Sequence, residues 1–323
     1  MKNVVIEITN KCNLNCKHCG STKNNDELSV EAIKTLLSDL NEVKHISITG
    51  GEPTLHKDIV EIVKLCSAKC NTSIITNATC SEKLLREIID AGIDLISFSV
   101  DGLPKTHDEI RNKKVSINMF RLINVAKWYV EISAVTTVTK QNINELREIR
   151  SWLFENGFDR WQLQLGIPYG NMTKENMIEP KQIIDIIKVA HETQSLIVDL
   201  ADCVGYYSKL EHEVRTKNNC AWSGCQAGKS VLGILANGDV VGCTSIRDKN
   251  FIEGNIYNES IKDIWQNKFN ALRNLCQADL SGKCKNCKYT MCLGGCHSMK
   301  IALNNSLYSE NNYCMYNLAR TEG

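Results

Sequence analysis

The chain has 323 residues, 43% of them apolar, and a formal net charge of +1. That length suits one large α/β barrel, or a medium domain beside a smaller one. The balanced charge argues against nucleic-acid and membrane-surface partners, which call for an excess of positive charge. The N-terminus lacks the apolar stretch and cleavage site of a secretory signal, and no run approaches the ~20 apolar residues of a membrane span. We therefore expect a cytoplasmic protein.

In chain order, short β-branched runs alternate with helical patterns. Strands are expected at Val4–Thr9, His45–Thr49, Thr72–Thr76, Leu95–Val100, Val130–Val138 and Trp161–Ile167. Helices are expected between them at Val30–Leu40, Asp58–Ala68, Glu82–Ala91, Ile117–Trp128 and Ile143–Glu155. Repeated β-then-α units imply a parallel sheet with right-handed crossovers. Six units are too few for a closed eight-stranded barrel, so an incomplete barrel or open sheet fits better. Chemistry then belongs at the C-terminal strand ends. Cys12, Gly50-Gly51-Glu52, Asn77 and Asp101 each fall just after a strand. A helix and polar connector span Ile178–Leu210. Asn237-Gly238 marks a hairpin between Val231–Ala236 and Val240–Cys243, and Ser260–Leu275 reads as one amphipathic helix. The domain boundary is placed near residue 215, giving 1–215 and 216–323.

Sixteen cysteines are the anomaly. In a reducing compartment they are not expected to form disulfides. Cys66, Cys70 and Cys80 fit plain packing thiols, but most of the others cluster at short spacings, which means metal. Cys12-Asn-Leu-Asn-Cys16-Lys-His-Cys19 supplies three thiolates within eight residues. Cluster proteins normally offer four, so one iron of a cubane would keep an open position. The competing assignment is a zinc site with His18 as fourth ligand.

This C-x3-C-x2-C pattern after the first strand resembles the radical S-adenosylmethionine (SAM) superfamily. The resemblance implies that the open iron chelates SAM, whose reductive cleavage yields a 5′-deoxyadenosyl radical that abstracts hydrogen from a C–H bond. Thr49-Gly-Gly-Glu-Pro53 resembles the family's GGEP loop at the methionine amino group. Two glycines allow close backbone approach, and Glu52 can accept from an ammonium; a plain Gly-Gly turn is the alternative. Ser97-Phe-Ser-Val-Asp-Gly102 resembles the segment after the fourth strand. Ser99 and Arg111 match the pair holding the SAM carboxylate in related enzymes, a task suited to the guanidinium fork. Asn77 matches a Thr-Asn-Gly position in which Ala78 replaces the glycine, and His18 takes the place of an aromatic residue near adenine.

The C-terminal cysteines resemble the seven-cysteine SPASM pattern: Cys225, Gly238 and Cys243, then Cys284, Cys287, Cys292 and Cys296, then Cys314. One interval departs, with four residues where the pattern has five between Cys287 and Cys292. Cys220 supplies an eighth thiolate. Carried over position by position, Cys220, Cys225, Cys243 and Cys296 would hold auxiliary cluster I, and Cys284, Cys287, Cys292 and Cys314 auxiliary cluster II. Zinc knuckles are the alternative. The resemblance therefore implies a partial (β/α)6 TIM-like barrel followed by a small cysteine-rich α+β SPASM domain, with SAM and three [4Fe–4S] clusters.

Such enzymes most often modify peptides, so we expect crosslinking, epimerisation or oxidation of a ribosomally made precursor peptide. A flavodoxin or ferredoxin reductant is implied. The chain begins at its first barrel strand, so a separate leader-binding protein is expected, or direct binding by the barrel. Alternatives are a small-molecule target such as a tetrapyrrole side chain or an aminoglycoside, sulfatase maturation (disfavoured because Thr244 stands where that group has aspartate), and a non-catalytic iron–sulfur module. Cys203 and Cys276 are candidate hydrogen-atom donors, with buried packing thiols as the alternative, and Tyr169 is a candidate cavity residue.

Overall fold

Short runs of Val, Ile and Thr form the strands because branched side chains pack well on a pleated, buried surface. The computed structural model describes residues 1–319. Ten strands make one sheet: β1 (Asn3–Thr9), β2 (His45–Gly50), β3 (Asn71–Thr76), β4 (Leu95–Ser99), β5 (Glu131–Val138), β6 (Arg160–Leu165), β7 (Ile197–Leu200), β8 (Val231–Ile234), β9 (Asp239–Val241) and β10 (Ile252–Asn255). Their order is β10-β9-β8-β1-β2-β3-β4-β5-β6-β7. The first seven are parallel and follow one another across the sheet. Opposite edges are held by β7 and β10, so the sheet is an open, partial barrel.

Strand β7 extends the six expected units. β8 pairs in parallel with the free edge of β1, with Asn3 opposite Val231 and Ile6 opposite Ile234. The C-terminal region therefore covers the edge that would close a full barrel, and protects it from stray pairing. The hairpin at Asn237-Gly238 is present, with β8 and β9 antiparallel and Gly238 at φ +88°. The expected boundary at residue 215 lies inside the helix Lys209–Lys217. Arg215 of that helix donates to the carbonyls of Leu200 and Val204, so the helix packs onto the end of β7.

Serine caps set several helix starts. Ser29, Ser81, Ser208 and Ser260 each accept from a backbone N–H in the first turn. The expected Ser260–Leu275 helix is broken into Ile261–Asn267 and Asn270–Arg273. Phe269 between them has φ +67°, and its N–H donates to Glu253 Oε2 at 2.8 Å, which takes it out of the helical ladder. A helix not anticipated from the sequence, Pro104–Arg111, starts with proline in its first turn and ends at Asn112 in the left-handed region. Among the described residues, no helix is long and apolar enough to cross a membrane.

At the end of β3 the chain turns sharply. Ala78 sits at φ +59°, is fully buried, and its carbonyl accepts from Asn118 Nδ2 at 2.7 Å. Glycine suits that backbone, whereas a β-branched residue would be strained and overpacked. Ala78→Gly is expected to leave stability within about 1 kcal/mol, and Ala78→Val to lose about 3 kcal/mol, in urea titrations of the full chain.

Candidate active site

A β-bulge in β1 between Glu7 and Thr9 breaks its register with β2 just before the first cysteine loop; bulges commonly re-aim a strand beside a site. The loop is then clasped from two sides. Gly51 N–H donates to Thr9 O at 2.7 Å and Glu52 N–H to Lys11 O at 2.8 Å. A Cβ on Gly50 would lie 2.3 Å from Thr9 O, and one on Gly51 2.4 Å from Lys11 O. The close approach these glycines permit is thus to the chain's own cysteine loop. From the other side, Asn171 N–H donates to Cys19 O at 2.8 Å and its side chain to Cys16 O at 3.0 Å.

Cys16 is buried with Leu14 and Val115, and Cys12 and Cys19 pack against them. Donors point at two of the sulfurs. Arg111 Nη1 lies 3.7 Å from Cys16 Sγ, and Asn77 Nδ2 3.9 Å from Cys12 Sγ. Burial pushes the Cys12 and Cys16 thiols up, with Arg111 opposing it at Cys16. Three clustered thiols in an apolar niche, with N–H donors aimed at sulfur, fit an iron–sulfur cubane. His18 Nε2 lies 2.8 Å from Asp101 Oδ2.

Glu52 is held from within the chain. Its buried carboxylate accepts from Thr54 N, Thr54 Oγ1, Thr76 Oγ1 and Asn77 N at 2.6–3.2 Å. Burial pushes its pKa up and those donors oppose the shift. Glu52 therefore fixes the end of β3 and orients Asn77. Gly50, Gly51, Glu52 and Asn77 are absent from the wall of the adjoining cavity.

That cavity has a volume of about 410 Å³. His18, Cys19, Ser99, Arg111, Tyr169 and Cys203 are among its lining residues, and Cys243, Arg247 and Cys296 reach it from the C-terminal region. Cys276 does not. It is exposed and caps the short turn Gln277–Asp279, so the structure removes it as a donor to a substrate in this cavity. The packing reading holds for Cys66, which lies fully buried in the core with its thiol pushed up to about 12 by burial.

Asp101 and Arg111 form a buried ion pair. Burial opposes ionisation of Asp101, but Arg111 and then His18 outweigh it and hold the carboxyl well below the usual carboxylate range. Asp101 N–H donates to His107 Nδ1 at 3.2 Å, which places the His107 proton on Nε2. The helix Pro104–Arg111 thus carries both His107 and Arg111 inward. A second ion pair missed by sequence reasoning joins Glu7 of β1 to Arg247, which also lines the cavity. The signal was present: Glu7 is a buried carboxylate that interrupts an apolar strand.

The C-terminal cysteines are partly gathered. Cys284, Cys287, Cys292 and Cys314 line one small pocket with Tyr207 and Tyr289, whose rings stack at 3.8 Å. Trp222 Nε1 lies 3.4 Å from Cys292 Sγ. Cys225 is buried, Cys243 and Cys296 reach the cavity wall, and Cys220 is exposed.

The sequence model of the Radical SAM superfamily matches residues 6–153, and that of SPASM, an iron–sulfur cluster-binding domain, matches residues 225–288. The chain thus carries a Radical SAM superfamily domain followed by a SPASM iron–sulfur cluster-binding domain. It is 25% identical to the AdoMet-dependent heme synthase of Methanosarcina barkeri, over 96% of this chain and 95% of that one. It is 28% identical to the PqqA peptide cyclase of Bradyrhizobium diazoefficiens, over 93% and 82%. The crystal structure of Streptococcus suis SuiB bound to precursor peptide SuiA has the same fold, with a TM-score of 0.73 at 20% identity, covering 97% of this chain and 75% of that one. A radical SAM enzyme with a SPASM domain uses SAM and [4Fe–4S] clusters.

Burial, helped by Arg111, lowers the His107 pKa from 6.5 to about 4. The folded imidazole therefore excludes a proton that the unfolded chain binds between those values. Stability from this residue is intact above pH 6.5 and falls as pH drops toward 4, by up to about 3 kcal/mol. Urea titrations across that range are expected to show a shallower pH slope for His107→Gln than for the parent chain.

Proposed function

We propose that this enzyme modifies a ribosomally made peptide by abstracting hydrogen from an unactivated C–H bond, giving a crosslink, an epimerised residue or an oxidised side chain. One observation carries the peptide reading. The cavity wall beside Cys19 sets the hydroxyls and amides of Ser99, Thr137, Gln162, Gln164, Ser245 and Ser298 among the apolar side chains of Ile75, Val135, Leu165 and Ile167. Hydroxyls and side-chain amides of this kind match the donors and acceptors of a peptide backbone. The peptide cyclase relative supports the same substrate class.

When bound, the N-terminal cluster and SAM would supply a 5′-deoxyadenosyl radical at the cavity. The chain's own residues bind and orient. Cys12, Cys16 and Cys19 would hold the irons, while Ser99 and Arg111 on the cavity wall would take the SAM carboxylate. Asp101 neutralises Arg111 in part and fixes its guanidinium plane. Arg111 Nε is buried and has no hydrogen-bond partner among the described residues. His18 would border adenine, and Tyr169 would help exclude water. Two auxiliary [4Fe–4S] clusters, for three in all, would accept or supply an electron in exchange with a flavodoxin or ferredoxin. The protein would work in the cytoplasm, with or without a separate leader-binding protein. The catalytic part would extend to about residue 215 and the SPASM part beyond it.

The second reading is a tetrapyrrole substrate, favoured by the heme synthase relative. The apolar part of the cavity wall, with Ile75, Val135, Leu165 and Ile167, is compatible with one.

Two experiments test the proposal. With SAM and dithionite, the iron-loaded chain is expected to release 5′-deoxyadenosine, and Cys16→Ala to lose at least a hundredfold of that rate. Coexpression with short peptides encoded beside the gene, followed by mass spectrometry, is expected to reveal a peptide lighter by two hydrogens, or unchanged in mass but carrying solvent deuterium. Unaltered peptides together with a change in mass of a supplied porphyrin would move the assignment to the second reading.

A further inference from the structure

Of the eight C-terminal thiols expected to bind clusters, Cys284, Cys287, Cys292 and Cys314 share one pocket. The other four do not come together. Cys220 is exposed on the turn that ends the helix Lys209–Lys217, where its N–H donates to Arg215 O at 3.0 Å. Its sulfur has no hydrogen-bond donor among the described residues.

A different thiol shares the cavity wall with Cys243 and Cys296. It is Cys203, buried in the loop after β7. Cys296 neighbours Cys225 as well as Cys203. The loop is anchored there by Tyr206, whose hydroxyl donates to Asp202 O at 2.8 Å and accepts from Cys296 N–H at 3.0 Å. Leu165 N–H donates to Cys203 Sγ at 3.2 Å. Ser298 Oγ lies 3.0 Å from Cys296 Sγ. Hydrogen bonds to sulfur are a feature of cluster-bound thiolates, whose potential they tune.

We propose that Cys203 takes the place of Cys220 as fourth ligand, so that Cys203, Cys225, Cys243 and Cys296 hold the auxiliary cluster nearest the cavity. This rests on the reading that the C-terminal cysteines hold [4Fe–4S] clusters. One ligand then comes from the loop after β7 and three from the SPASM region, and the cluster ties the two together. Cys203 is thereby removed as a hydrogen-atom donor.

The test uses the full chain with Cys12, Cys16 and Cys19 all replaced by Ala, loaded with iron and sulfide in the absence of oxygen. If this parent binds no iron, the cluster reading fails and the proposal with it, before any comparison of variants. In an iron-binding parent, Cys203→Ala is expected to lose up to about four irons per chain and alter one EPR component. Cys203→Ser should keep the fold and shift the g-values of that component. Cys220→Ala should match the parent in both iron and spectrum. Iron loss in Cys220→Ala, or unaltered iron and spectra in both Cys203 variants, overturns the proposal. Iodoacetamide on the loaded parent, which avoids any folding defect in the variants, should alkylate Cys220 and spare Cys203 with iron retained. Protection of Cys220 would overturn the assignment.

Discussion

The first cysteine loop follows a bulged strand and would be free to move if nothing pinned its backbone. Two glycines remove the side chains that would otherwise hold Gly50-Gly51 away from Thr9 and Lys11. Asn171, after β6, bonds the same loop from the far side. Three thiols are therefore presented by main-chain hydrogen bonds to two other loops at the strand ends. Each clasp depends on the parallel sheet bringing its loops to one end. The open edge beside β1 is filled by β8, so the C-terminal region completes the wall on which that loop rests.

Charge at the site is balanced internally. Arg111 serves Cys16 and Asp101 at once, and Asp101 also meets His18. A buried guanidinium left alone would carry a large desolvation cost. Paired in this way, it keeps its positive charge beside Cys16 and lines the cavity. Glu7 and Arg247 repeat the arrangement across the boundary with the C-terminal region. The cavity is thus bordered by two ion pairs, one within the barrel and one joining it to the SPASM region.

Much of this was legible in the chain. The six β-branched runs became strands because branched side chains pack well on a pleated, buried sheet face. That Cys12, Cys16 and Cys19 pack together was legible from their spacing. What escaped has physical reasons. β7 is only four residues long and includes Asp199, so it lacks an apolar run. The pairing of β8 with β1 joins segments more than two hundred residues apart. The Pro104–Arg111 helix is polar along most of its length and is fixed by His107 and Arg111 pointing inward. Phe269 breaks an apolar periodicity through a tertiary bond to Glu253. Glu52 is a case of chemistry legible as residue type but not as direction. Its carboxylate turns to Thr54, Thr76 and Asn77 instead of the cavity.

The account stands on three thiolates leaving one iron accessible to SAM. EPR of the reduced, iron-loaded chain, recorded with and without SAM, tests this most directly. A component missing from the variant lacking Cys12, Cys16 and Cys19 should shift its g-values when SAM is added, while the remaining components stay put. SAM leaving every component unmoved, or the triple variant retaining the full spectrum, would contradict it.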